Sequence, residues 1–135
     1  MSVHNKLRGY RHMKALIVIA AAAALAPLSA SAECPYPTAP KSIPDGSKAT
    51  LDEMMATKKA VKDYDDATST YLDCIKKEHD DAVVALGDLN SDKQKKAKDQ
   101  LDKVEAEKHN AAVTQDQTVA DHFNEQVRVY KAQKK

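Results

Sequence analysis

The sequence predicts an all-α protein, an antiparallel two-helix hairpin of coiled-coil type preceded by an extended, Pro-rich N-terminal strap. Three observations support this fold class. Proline is absent after Pro44, two capping boxes each open a long run of apolar residues at helical spacing, and one cysteine lies in the Pro-rich stretch and the other in the first run. Aromatic residues make up 4% of the chain, so a thick globular core is out of reach, whereas long helices packed side by side need less burial.

Residues 1–32 have the three parts of a secretory signal peptide. A stretch with four basic and no acidic residues comes first, an apolar run from Ala15 follows, and small residues end at Ala32. We expect cleavage between Ala32 and Glu33. Met13, directly before Lys14, is a second candidate translation start.

The apolar run is too short to be a membrane span. It is about 14 residues long and contains Pro27, whereas a spanning helix needs roughly 20. We therefore expect no stable membrane anchor after cleavage. The protein should be exported, to the periplasm of a Gram-negative cell or otherwise to the medium.

Removing the signal changes the charge balance. Four of the chain's 21 basic residues and none of its 20 acidic residues precede Glu33, so the rest carries a net charge of −3 with histidines neutral. Basic and acidic residues alternate there, and no strongly basic patch remains. The composition therefore argues against a nucleic-acid partner.

Cys34 and Cys74 are the two cysteines of the chain. Export would place them in an oxidising compartment, where two thiols most often pair. An intramolecular Cys34–Cys74 disulfide is the favoured interpretation, with an intermolecular bridge or free thiols as alternatives. Catalytic redox use favours a close Cys-x-x-Cys pair, which this spacing is not.

Residues 33–49, the N-terminal segment, cannot be helical because prolines recur throughout it. Their spacing suits an extended, polyproline-like strap. Residues 43–46, Ile-Pro-Asp-Gly, have proline and glycine at the positions typical of a β-turn. The chain should reverse there.

A helical hairpin is predicted over residues 50–135. Thr50 with Glu53 forms a capping box and opens a helix over about residues 51–87, which Gly87 should end. Ser91 with Gln94 forms a second box. It opens a helix over about residues 92–133, whose last turns are basic, as the negative end of a helix dipole favours.

The strap and the disulfide are compatible in length. Thr50 to Cys74 spans about 36 Å along a helix, and Cys34 to Thr50 spans about 50 Å in polyproline form. The strap can therefore fold back along the first helix. Small and aromatic residues on the face of Cys74 should form its groove, namely Tyr64, Ala67 and Tyr71.

No residue pattern indicates a cofactor, a metal site or catalysis. Residues 88–92 begin like a calcium loop, but Lys93 stands where that loop needs glycine. The histidines at 79, 109 and 122 should be spread along the hairpin, too far apart to share a metal, and solvated. Gly-rich loops, nucleophile elbows and zinc-ligand spacings are lacking in the sequence.

The first part of the exported chain resembles a family. Cys34-Pro35, the Ile-Pro-Asp-Gly turn at 43–46 and Tyr71-Leu72-x-Cys74 occur in the order found in small exported proteobacterial proteins of unknown function. The resemblance covers residues 34 to about 75. It implies a bacterial periplasmic setting and no particular activity.

We therefore expect a non-catalytic envelope protein that binds a protein partner or self-associates through its helix faces. Apolar stripes interrupted by polar residues leave a two-helix rod short of burial, which self-association would supply. A holdase-type periplasmic chaperone is the alternative, because some of these are built from helical hairpins. A small metal-binding protein or enzyme is the alternative of another class.

Overall fold

Residues 33–134 of the computed structural model are described, and they form a helical hairpin with an irregular N-terminal segment. Helix α1 is Leu51–Ala85 and helix α2 is Asp92–Gln133. The two helices pack against each other, and residues 33–134 contain no strand. The all-α prediction is thus confirmed, whereas the signal peptide, with Ala32 at its end, lies outside the described residues.

Helix α1 begins where the capping box places it. The Thr50 hydroxyl accepts a hydrogen bond from the Glu53 amide at 3.2 Å, and the Thr50 amide donates to the Glu53 carboxylate at 2.7 Å. These bonds satisfy amides that have no partner inside the helix. The amide and hydroxyl of Thr50 also lower the pKa of the Glu53 carboxyl.

The short connection between the helices consists of the C-terminal cap of α1 followed by the N-terminal cap of α2. Helix α1 ends at Ala85, slightly before the expected Gly87. Leu86 is its C-cap, and Gly87 takes a positive φ of 67°, which stops the helix from continuing. The Ser91 hydroxyl accepts from the Gln94 amide at 3.2 Å. The Gln94 side chain also donates to the Leu86 carbonyl at 3.0 Å, which joins the end of one helix to the start of the next.

The core lies midway along the hairpin. Cys34, Tyr71, Ile75 and Ala112 form its buried cluster, so the N-terminal segment and both helices contribute. The buried residues of α1 recur at gaps of three, four or seven positions, as one helix face packed on a neighbour requires. They are Met54, Thr57, Tyr64, Thr68, Tyr71 and Ile75.

Ion pairs cover the outer face of α1. Four lysines each approach the aspartate four residues later, within 2.5–2.6 Å. Such exposed pairs each stabilise a helix by only about 0.3–0.5 kcal/mol, so they chiefly keep this face solvated. Among the described residues, neither helix is long and apolar enough to cross a membrane.

Candidate functional site

The disulfide predicted from the sequence is present and joins the start of the N-terminal segment to α1. The Cα atoms of Cys34 and Cys74 lie 5.8 Å apart, within the usual range for a disulfide. Cys34 is buried, and its amide donates to a Glu78 carboxylate oxygen at 3.3 Å. The Lys108 ammonium of α2 approaches the other Glu78 oxygen at 3.7 Å, so this junction ties three parts of the chain together.

Two sulfurs and a carboxylate meet at this junction, the donors of Cys34, Cys74 and Glu78 lying within 4.8 Å of one another. The sulfurs are bonded to each other and offer no thiolate, the form that binds metals. Glu78 is engaged by an amide and an ammonium. The arrangement therefore acts as a fastening of the segment.

Tyr36 places the N-terminal segment in contact with both helices. Its ring meets the Tyr71 ring of α1 edge-on, with centroids 5.1 Å apart and an interplanar angle of 68°. Its hydroxyl donates to the Gln115 side chain of α2 at 2.9 Å. The next residue, Pro37, is buried, so the segment is closely packed at this point.

The second attachment is at Gly46, where the chain turns slightly later than the predicted 43–46: residues 46–48 form the turn, and the Lys48 amide donates to the Asp45 carbonyl at 3.0 Å. The Gly46 amide donates to the Gln126 side-chain oxygen of α2 at 2.9 Å. Within the turn, the Asp45 carboxylate accepts from the Ser47 hydroxyl and amide at 2.7 and 2.9 Å, and these bonds lower the pKa of the Asp45 carboxyl. This turn, and not the predicted one at 43–46, is therefore the part of the segment that docks on α2.

The three residues expected to form the groove differ in their surroundings. Tyr64 and Tyr71 are buried, whereas Ala67 is exposed. Burial raises the pKa of both phenols. The Tyr64 hydroxyl lies beside the Thr68 hydroxyl, yet neither finds a partner at hydrogen-bond geometry within residues 33–134. This polar pair in the core is unexplained by the packing around it.

A carboxylate on α2 lies against this part of α1. Burial first, and then the neighbouring Asp65 carboxylate, raises the pKa of the Asp116 carboxyl. Two acids from different helices thus approach each other close to Tyr64. The contact opposes helix packing when both carboxyls are ionised.

The expectation that His79 is solvated was wrong. Only 20% of its side chain is exposed, and its Nε2 lies 2.8 Å from a carboxylate oxygen of Asp102 on α2. The carboxylates of Asp102 and then Asp80 raise the pKa of the His79 imidazole through these hydrogen bonds. His79 therefore links the two helices. The sequence did not indicate this role, because its partner Asp102 is distant along the chain.

The remaining sequence candidates lie apart from these contacts. His109 and His122 are exposed on α2. Residues 88–91 lie in the connection between the helices, where the Asp88 backbone carbonyl accepts a hydrogen bond from the Asn90 amide at 2.8 Å. Ser91 and Asp92 belong to the cap of α2.

Sequence reasoning missed an apolar cleft at the end of the hairpin that carries the start of α1 and the end of α2. We call it the apolar cleft; it has a volume of about 350 Å³. Apolar residues near both ends of the helical region were its only signal, because their proximity depends on the hairpin. The apolar side chains that line it are Leu51, Met54, Met55, Phe123, Val127 and Tyr130.

The chain was compared with protein families, curated proteins and solved structures. No family model, curated protein or solved structure matches the chain.

Proposed function

We propose that this chain is a non-catalytic helical protein of the cell envelope that binds a protein partner, or a second copy of itself, through its helix faces. The observation that carries the proposal is the sparse burial of α2. Only Ala112 and Phe123 are buried among its 42 residues, whereas a helix of a globular protein normally hides a continuous apolar stripe. A further protein surface on α2 would supply the missing cover.

Exposed ion pairs are more numerous on α1 than on α2, which favours α2 as the binding surface. Lys–Asp pairs at i,i+4 keep the outside of α1 solvated. On α2, Val104 leaves 46% of its surface exposed in the first half of the helix. A partner that covers Val104 would gain apolar burial without breaking those pairs.

We further infer that the helices run antiparallel and that the N-terminal segment is a strap across both. The cross-helix contacts support the direction, because His79 meets Asp102 and the lower-numbered Asp65 meets the higher-numbered Asp116. Attachments at Cys74, Gln115 and Gln126 support the strap. A strap of this kind would hold the helix faces in one register for a partner.

The proposed compartment is the periplasm. A disulfide agrees with an oxidising compartment, and the resemblance to small exported proteobacterial proteins agrees with the signal-like residues 1–32. Intact mass of the protein from an exporting cell tests this. A chain that starts at Glu33 and is two hydrogens lighter than its reduced form is expected; a retained signal would contradict export.

The binding function is tested by a photocrosslinking amino acid placed at Val104, with Lys59 on the ion-paired face of α1 as the matched control. Crosslinking in exporting cells should give a discrete adduct from Val104 and little from Lys59. Light scattering of the purified protein then separates the two occupants, since a second copy gives a dimer that grows with concentration. A monomer without discrete adducts would contradict the proposal.

The holdase alternative draws on the apolar cleft, an open surface that an unfolded chain could use. A holdase would suppress aggregation of an unfolding client at near-stoichiometric ratios and would crosslink to many proteins. A single adduct favours the specific partner.

A further inference from the structure

The apolar cleft has the size and lining of a small-ligand site. Its volume of about 350 Å³ falls in the range typical of pockets that enclose a small molecule. Met54 and Phe123 form a floor in which both side chains are buried. Leu51 and Met55 stand at its sides and leave 60% and 56% of their surfaces exposed. Unless something covers them, these side chains meet water.

The cleft is supported from behind by the docked turn. Gly46 is bonded to the Gln126 side chain and lies against the backbone of Tyr130, one of the lining residues. This attachment holds the last turns of α2 opposite α1. The two methionines bring flexible, polarizable side chains that adapt to an apolar guest.

Cations surround this apolar surface. Lys58 and Lys131 line the cleft, and among the described residues neither approaches a carboxylate within salt-bridge distance, unlike Lys59 and Lys62. The Lys134 ammonium lies 5.4 Å from the centre of the Tyr130 ring.

A neighbouring hollow adds Asp121 and Arg128 beside Lys131, and Glu125 already pairs with that arginine at 2.5 Å. The rim is therefore positive.

We propose that the apolar cleft binds a free alkyl carboxylate, a fatty acid whose tail lies on Met54, Met55 and Phe123 and whose headgroup meets Lys58 and Lys131. An apolar lining with few charged groups at its edge matches a ligand with one apolar tail and one charge. Burial of the tail supplies the affinity, roughly in proportion to the apolar area covered. The lysines select the sign of the headgroup. The site needs no protein partner.

Calorimetric titration of the protein purified from an exporting cell tests this, with dodecanoate as the probe below its micelle-forming concentration. Dodecanoate should bind at one per chain, and octanoate several-fold more weakly because its shorter tail covers less of the cleft. Dodecyltrimethylammonium, with the same tail and the opposite charge, should bind about fivefold more weakly, the upper value for an exposed ion pair.

Substitutions at the cleft have matched controls elsewhere on the helices. Lys131→Glu should weaken dodecanoate binding by about fivefold, while Lys96→Glu, an equal charge change on exposed α2 surface, should leave it unchanged. Met55→Asp should abolish binding, while Val84→Asp, another exposed apolar position on α1, should not. All four positions are exposed, so folding should persist, which circular dichroism verifies.

Three results would overturn the proposal. The first is binding only above the micelle-forming concentration, and the second is equal affinity for the anionic and cationic amphiphiles. The third is a dimer in solution that Met55→Asp dissociates and dodecanoate leaves intact, since the cleft would then belong to a second copy.

Discussion

Gly46 rests directly on the backbone of α2 at Gln126. Its amide donates to the Gln126 side chain at 2.9 Å, and a Cβ added to Gly46 would clash with the Gln126 carbonyl oxygen and lie 2.9 Å from the Tyr130 amide nitrogen. Backbone atoms of a helix cannot move aside as a flexible side chain can. The glycine is needed here because of space, and the turn can dock only without a side chain.

Gly46→Ala should therefore destabilise the protein, by about 1–3 kcal/mol as for other overpacked sites. Chemical denaturation measures the free energy of unfolding. Gly87→Ala is the control: nothing lies within 4 Å of its added Cβ, but its φ of 67° is strained for alanine, at a cost of about 1 kcal/mol. Gly87→Asn should relieve much of that cost, whereas Gly46→Asn should not. Wild-type stability of Gly46→Ala would mean that the turn is not held on α2.

Removing the disulfide should loosen one end of the N-terminal segment before the other. The double variant Cys34→Ser, Cys74→Ser should lose up to about 4 kcal/mol by the chain-entropy estimate and keep most of its helicity. Limited proteolysis with mass mapping should find the first cuts near residues 33–37, because Gly46 stays bonded to Gln126. Loss of the helices together with the segment would show instead that the disulfide holds the whole fold.

Because the hydroxyls of Tyr64 and Thr68 have no partner, we expect that removing either one stabilises the folded protein. Tyr64→Phe and Thr68→Val each remove a buried polar group without a partner, so each should raise the free energy of unfolding, by about 1 kcal/mol. Tyr36→Phe is the matched control, since its hydroxyl does bond to Gln115, and it should destabilise slightly. A loss of stability in Tyr64→Phe would reveal a partner for that hydroxyl, such as a buried water.

We expect the Asp116 carboxylate to lower the free energy of unfolding at neutral pH. Its carboxyl has a raised pKa in the folded protein, so the penalty is present above that pKa and disappears as the pH falls through it. Asp116→Asn should raise the melting temperature by a few degrees at about pH 7 and by less at about pH 4. Asp65→Asn should give a smaller gain, because burial is the first cause of the shift. Equal effects at both pH values would exclude titration as the reason.

For His79 the substitution should have the opposite sign, because this side chain stabilises the folded protein whereas Asp116 destabilises it. Its imidazole has a raised pKa beside Asp102 and Asp80, so its contribution is fully present below the ordinary imidazole pKa and is lost as the pH rises through the folded-state value. His79→Gln should lower the melting temperature more at about pH 5.5 than at about pH 8.5. His109→Gln, at an exposed site, is the control and should change little at either pH. A pH-independent effect of His79→Gln would assign it to packing alone.

Local features of the fold were readable from residue spacing. The caps at Thr50 and Ser91 act between residues three positions apart, so they form in any chain context that permits a helix. The Pro-rich segment excludes helix by its own covalent geometry. The cysteine pair required only that both residues meet in an oxidised chain, and a single pairing was available.

The position of the N-terminal segment on the hairpin depends on α2 as well as on α1. Tyr64 and Tyr71 were expected to lie beneath the segment on α1 alone, but Tyr36 and Gly46 bond to Gln115 and Gln126 of α2. The sequence does not indicate which face of α2 turns inward, because that helix has polar residues at many inward positions. Its apolar stripe is too weak to set the register.

The sequence by itself determined the helices, the irregular N-terminal segment and the disulfide, because each depends on neighbouring residues or on a unique pair. Only the tertiary structure decided which groups meet across the hairpin, such as His79 with Asp102 and Asp65 with Asp116. These partners are more than twenty positions apart in sequence, and a shift of one helical turn would separate them all. The apolar cleft depends on the same alignment, since its two walls come from the start of α1 and the end of α2.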